Sequence, residues 1–143
     1  MEDFVSILKK HGLKATFQRI TILSVIDREG HATVDEIYEK VRESHPTLSL
    51  ATVYKNIVTM VEQGVLVEVP ISGRKSKYEL KKSEHLHLIC TECGSVTDRS
   101  LDEVIARDTE AIAKDSAFTL QNRQVNLYGV CEACRDHSGS RSA

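Results

Sequence analysis

Two C-x-x-C pairs, Cys90/Cys93 and Cys131/Cys134, constrain this chain more than any other feature. Each pair offers two thiolates from one turn, and Gly94, directly after the first, can close that turn without a steric cost. A closed tetrahedral site needs two such turns facing each other. Cys93 and Cys131 stand 38 positions apart, too far for a single zinc ribbon, so a strand over about 117–128 has to return the chain beside the first knuckle. In a reducing compartment such pairs favour metal thiolates over disulfides, and structural zinc is the expected occupant. A redox-active dithiol is the competing reading, weakened by the lack of a thioredoxin-like βαβ pattern around the pairs.

Length makes the same point. A chain of 143 residues fits one ordinary domain or two small ones, and the smaller half is too short to hold a large apolar core. Zinc is the staple that would offset this. With 41% hydrophobic and 28% charged residues the composition is that of a folded protein. No apolar run approaches a membrane span, and the start MEDFVSILKKHG lacks the basic head of a secretory signal, so a cytoplasmic location is expected. The net charge is −2, and residues 1–80 carry equal numbers of both signs, so any nucleic-acid-binding face must be local.

Along the chain, Asp3 and Thr16 are expected to cap helices over 3–11 and from 17, the second with Ile20, Leu23 and Ile26 on one face. Thr33 with Glu36 reads as a capping box opening a third helix, in which Val34, Ile37, Tyr38 and Val41 repeat at helical spacing. A fourth helix runs from about Ser49 to Gln63, with Leu50, Val53, Ile57, Met60 and Val61 inward and Thr52, Lys55, Asn56 and Thr59 outward. Two β-like runs, Val65–Pro70 and Lys75–Leu80, follow around Ser72 and Gly73. Helices plus hairpin predict a winged helix-turn-helix. Beyond Lys81 a strand HLHLIC, a strand at Val96–Asp98, a helix over about 101–114 and the returning strand predict a small α/β domain. The expected organisation is an α+β chain: a winged-helix domain over 1–80, a hinge at 81–84, a dimerisation and metal-binding domain over 85–137, and a disordered tail over 138–143.

The outward face of the fourth helix offers small polar, amide and cationic groups that suit a DNA major groove, with Tyr54 beside them. A merely solvated helix face would look the same. The particular residues are more telling. SLATVYKNI (Ser49–Ile57), with GLKATFQR (Gly12–Arg19) before it and QGVLVEV (Gln63–Val69) after it, closely resembles the DNA-binding domain of the ferric uptake regulator (Fur) family, and the resemblance extends along nearly the whole chain. It implies a homodimeric repressor of palindromic DNA, with Tyr54 and Lys55 as base or phosphate contacts, Lys14 reaching the minor groove or backbone, and Arg19, Thr52 and Asn56 completing the face. Phe17 departs from the family, where proline commonly follows the threonine; the cap itself does not need it.

His85 and His87 stand two apart in a predicted strand, so both imidazoles point to one face in a chelating arrangement. An isolated H-x-H is more often surface histidine. The family resemblance adds His31 in EGHAT, Glu79 in KYEL and Asp98 in CGSVTD, which together with the pair make a regulatory site of nitrogen and oxygen donors suited to iron(II) or manganese(II), with zinc as another possible occupant. Many members also carry an accessory site with histidine at the positions of Glu84 and Arg123, aspartate at Leu86 and glutamate at Ile105; none of these ligands is present. That departure, and Asp98 where iron-uptake members usually have glutamate, resembles the peroxide-sensing branch, in which the histidines matching His31 and His85 are oxidised at the iron. Iron or zinc uptake control is the alternative. No nucleophile elbow, phosphate loop or H-E-x-x-H is present, so an enzyme is not expected, though a zinc-containing thiol oxidoreductase or an RNA-binding zinc knuckle would be the readings from other classes.

Overall fold

Each of the first four helices starts at a side chain able to satisfy its free backbone N–H groups. Asp3, Thr16, Thr33 and Ser49 accept from the amides of Ser6, Arg19, Glu36 and Thr52, and open α1 (Phe4–Lys10), α2 (Phe17–Glu29), α3 (Val34–Val41) and α4 (Leu50–Glu62). At α3 the capping box is complete, with the Glu36 carboxylate accepting from the Thr33 amide at 2.8 Å. The cap of α2 holds with Phe17 in its first turn; the exposed ring lies 5.3 Å from that of His45. The computed structural model describes residues 3–81 and 84–138, and it divides into two compact units, the first ending at Lys81.

In the first unit the helical spacing brings Leu8, Ile22, Leu23, Ile26, Ile37, Val41, Val53, Ile57 and Met60 together, each fully buried. Each such side chain contributes about 1.5–3 kcal/mol by leaving water. The expected inward face of α4 needs correction at its first residue: Leu50 is 42% exposed, whereas Val61 is half-buried and packs against the core. Strands β1 (Leu66–Val69) and β2 (Lys77–Leu80) pair antiparallel in the register Leu66↔Leu80 and form the wing. An isolated bridge, Ala32↔Tyr78, ties the α2–α3 connection to β2 through Tyr78 N–H to Ala32 O at 2.7 Å and its reciprocal at 3.2 Å.

The second unit is a sheet of order β4-β3-β5, from β3 (His85–Cys90), β4 (Val96–Ser100) and β5 (Val125–Gly129), with α5 (Glu103–Asp115) and α6 (Glu132–Ser138). Strand β3 pairs antiparallel with β4 and parallel with β5. The returning strand is shorter than expected, because its partner β3 begins only at His85 and the register runs from Leu86↔Val125 to Cys90↔Gly129. Residues 117–124 lie in no strand among the described residues. Helix α6 is not signalled by the sequence pattern and runs through Ser138, the first residue of the expected tail. Positions 82 and 83 of the expected hinge and 139–143 of the tail lie outside the described residues. Among the described residues no helix is long and apolar enough to cross a membrane.

Candidate metal centres

Parallel pairing of β3 with β5 puts the C-terminal ends of both strands on the same edge of the sheet, and each runs directly into a C-x-x-C turn. Thr91 N–H donates to Gly129 O at 2.8 Å and holds the two turns beside each other. Gly94, at φ +77°, folds the first turn back so that its amide reaches Cys90 O at 2.9 Å. In the second, Cys134 lies in the opening turn of α6, three residues after Cys131 and so on the same side.

The four sulfurs converge to within 4.8 Å of one another, and Cys93 Sγ is 3.8 Å from Cys131 Sγ. Four thiolates at a Zn–S distance of about 2.3 Å in a tetrahedron have sulfurs about 3.8 Å apart, so the set fits a closed zinc site, and the separation is far too long for a disulfide. The electrostatics agree. Backbone amides of Cys131 and then Cys93 donate to Cys90 Sγ at 3.4 and 3.5 Å and bring its thiol down to about 6. The neighbouring Cys131 thiol, then burial, then Cys93 and Cys90 push Cys134 up to about 12. One thiol gives up its proton readily under its backbone donors, and the last resists because its hydrogen bond to the Cys131 thiol and its burial favour the neutral form.

The histidines and carboxylates fall into two groups, one in each unit. In the first, the Ala32↔Tyr78 bridge sets His31 opposite Glu79, and His31 Nε2 lies 2.7 Å from Glu79 Oε2. In the second, β3 sets His85 and His87 on one face, with Nε2 atoms 3.1 Å apart and rings edge to face at 4.6 Å. Asp98, opposite His87 on β4, brings Oδ1 to 3.6 Å from His85 Nε2 and 3.7 Å from His87 Nε2. Two imidazoles bound at right angles to one ion at about 2.1 Å have nitrogens about 3 Å apart, so this trio fits a metal without rearrangement. Glu79 and His87 are the two buried polar side chains among the described residues, and burial of such groups needs a compensating partner.

The accessory positions hold a different structure. Arg123 donates to Glu84 at 2.6 and 3.0 Å, to Thr109 Oγ1 at 2.8 Å and to Ala106 O at 3.0 Å, so a guanidinium fills that place. Asn126, which sequence reasoning missed, sits on β5 opposite His87 with Oδ1 2.9 Å from His87 Nδ1. No motif marks it; only the strand pairing does.

On α4 the residues expected to face DNA divide. Tyr54 and Lys55 are exposed, as is Lys14. Arg19 and Asn56 are half-buried and engage each other, Arg19 Nε donating to Asn56 Oδ1 at 3.1 Å while Arg19 also donates to Lys14 O at 3.0 Å. They lock α2 against α4 beneath the face. Thr52 Oγ1 accepts from Ser49 Oγ at 2.9 Å beside the cap.

Comparison with known proteins places these features in one lineage. The sequence model of the ferric uptake regulator family matches residues 10–128. The peroxide-responsive repressor PerR of Staphylococcus saprophyticus is 32% identical over 141 residues, covering 95% of this chain and 92% of that protein. The crystal structure of the Campylobacter jejuni peroxide stress regulator superposes with a TM-score of 0.76 at 38% identity, over 94% of this chain and all of that one (100%). The Vibrio cholerae ferric uptake regulator, a structure with described DNA-binding domains, superposes with a TM-score of 0.73 at 33% identity, over 90% of this chain and 100% of that one. A match that runs from the end of α1 into β5, joined to relatives aligned over nearly their whole length, means that this chain belongs to the ferric uptake regulator family.

Proposed function

We propose that this chain is a metal-dependent transcription repressor that binds palindromic operator DNA as a cytoplasmic homodimer and senses peroxide. The observation that carries the metal reading is the convergence of His85, His87 and Asp98 on one face of β3 and β4 with no thiolate among them. Completed by His31 and Glu79, the donors are three imidazoles and two carboxylates, a set that suits iron(II) or manganese(II), while the four thiolates suit structural zinc. Ligands drawn from both units would let one ion set the angle between them. A dimer on a palindrome needs its recognition helices about one DNA turn, ~34 Å, apart, so that angle governs affinity and metal selects the binding form. The second unit exposes Val104, Ile112, Phe118, Leu127, Tyr128 and Val130, apolar surface that a second copy would cover.

Tyr54, Lys55 and Lys14 are the side chains free to reach DNA, with Arg19, Thr52 and Asn56 supporting them. The likeness to two peroxide regulators and the Arg123–Glu84 pair at the accessory positions support the peroxide branch. Iron(II), when bound, would assist cleavage of the peroxide O–O bond; the chain's part is to hold the imidazoles of His31 and His85 where one of them gives up two electrons and takes one peroxide oxygen, the other oxygen leaving as water. The likeness to the Vibrio cholerae regulator favours the alternative, control by metal level alone.

Mass spectrometry of peptides containing His31 and His85 tests this, after peroxide treatment of the iron-loaded and manganese-loaded protein, alongside operator binding. Oxidation confined to the iron form, with loss of DNA binding, is expected. Unmodified histidines with intact binding would assign the chain to metal-uptake control instead. In the same assay His87→Ala should abolish metal-dependent operator binding with zinc retained, and Lys55→Ala should weaken binding by about 1–3 kcal/mol with metal affinity unchanged.

A further inference from the structure

His87 lies on the central strand of its sheet, flanked in register by Asp98 of β4 and Asn126 of β5, and is 2% exposed. Its two ring nitrogens have different neighbours. Nε2 faces His85 Nε2 at 3.1 Å and Asp98 Oδ1 at 3.7 Å, while Nδ1 faces Asn126 Oδ1 at 2.9 Å. The Asn126 amide turns its carbonyl oxygen toward the ring, and its Nδ2 donates to Gln124 Oε1 at 2.9 Å. A carbonyl oxygen only accepts. In this orientation of the amide His87 Nδ1 carries the proton and donates it, and Nε2 keeps its lone pair on the side where His85 and Asp98 converge.

We infer that Asn126 is a positioning residue for the regulatory metal: it holds His87 in the Nε2-ligating tautomer and fixes the plane of its ring. This rests on the reading of His87 as a metal ligand. The physical gain is preorganisation, since a buried imidazole without an acceptor at Nδ1 would divide between two tautomers and only one presents a lone pair to the ion. An amide suits the place better than a carboxylate. Asp98 already brings a negative charge beside the ring, and a neutral acceptor orients the ring without adding another in a buried setting.

The test uses the zinc-loaded full chain with manganese(II) as the probe, comparing wild type, Asn126→Leu, Asn126→Asp and His87→Ala. Free manganese measured by electron paramagnetic resonance gives the affinity, and long-range ¹⁵N–¹H NMR of the manganese-free protein reports the His87 tautomer. Asn126→Leu should lose about 10–100-fold in manganese affinity, with the His87 signals shifting from the Nδ1-protonated pattern toward a mixture. Asn126→Asp, which keeps the acceptor, should retain that pattern and bind within a few fold of wild type. A role in folding alone would lower thermal stability without moving the tautomer. If Asn126→Leu does not fold with zinc, Asn126→Ala, which leaves room for water, serves in its place. Wild-type affinity and an unchanged tautomer in the acceptor-free variant, with His87→Ala impaired, overturn the role of Asn126 alone; wild-type affinity in His87→Ala overturns the reading of the site as well.

Discussion

The two units of this chain solve the problem of small size in opposite ways. The first closes a contiguous apolar cluster from all four helices and the wing, from Leu8 through Ile57 to Tyr78, and needs no ion to do so. In the second, Leu86, Ile89, Cys90 and Ala113 are the buried apolar residues among those described, while six large hydrophobic side chains beyond β3 stay exposed. What it brings together instead are four thiols and the His85/His87/Asp98 trio. Burial can therefore be exchanged for coordination when the topology brings donors together. The expectation is that one half of the molecule depends on metal and the other does not.

Removing zinc attacks that difference directly. Cys93→Ser, or chelation under reducing conditions, should unfold the second unit, because coordination at a structural zinc site is worth about 10–16 kcal/mol and the remaining core is thin. Amide hydrogen exchange should then show protection retained in α2 and α4 and lost in β3 and β5. Protection retained in β3 and β5 without zinc would mean that the second unit holds itself by packing after all.

The reverse experiment sharpens the comparison. Ile57→Ala, at a fully buried position of α4, should cost the first unit about 2–5 kcal/mol through lost transfer energy and a residual cavity. Thermal unfolding followed by near-ultraviolet and far-ultraviolet circular dichroism should shift down while the zinc content stays at one ion per chain. Loss of zinc on this substitution would show that the two units do not fold independently.

The smallest effect is a dependence on pH confined to the second unit. Cys90, down at about 6, has already lost its proton at neutral pH and adds no pH dependence above that value. Cys134, up at about 12, still holds its proton and must release it when zinc binds. Zinc affinity should therefore rise with pH between 7 and 9, by about tenfold per unit for each proton released, as a competing chelator would read. A flat profile would mean that every thiol is already ionised before zinc arrives.

Periodicity and capping chemistry are local, and they were enough to specify α1 to α4 and the wing, since Asp3, Thr16 and Thr33 and the spacing of Ile37, Val41, Val53 and Ile57 each act within a few residues. Spacing likewise marked the four cysteines, and strand parity put His85 and His87 on one face. The linking of His31, Glu79 and Asp98 to those histidines came from family resemblance, not from any local pattern. Long-range pairing decided the rest. The length of β5 follows from where β3 begins, the approach of His31 to Glu79 from the Ala32↔Tyr78 bridge, and the place of Asn126 behind His87 from parallel register across 39 residues. Arg19 and Asn56, expected from the family resemblance among the DNA contacts, engage each other across α2 and α4, a pairing no local pattern signals. A sequence determines directly what neighbours along the chain can do, whereas contacts between distant segments exist only once the entropy of closing the intervening loops has been offset by tertiary packing.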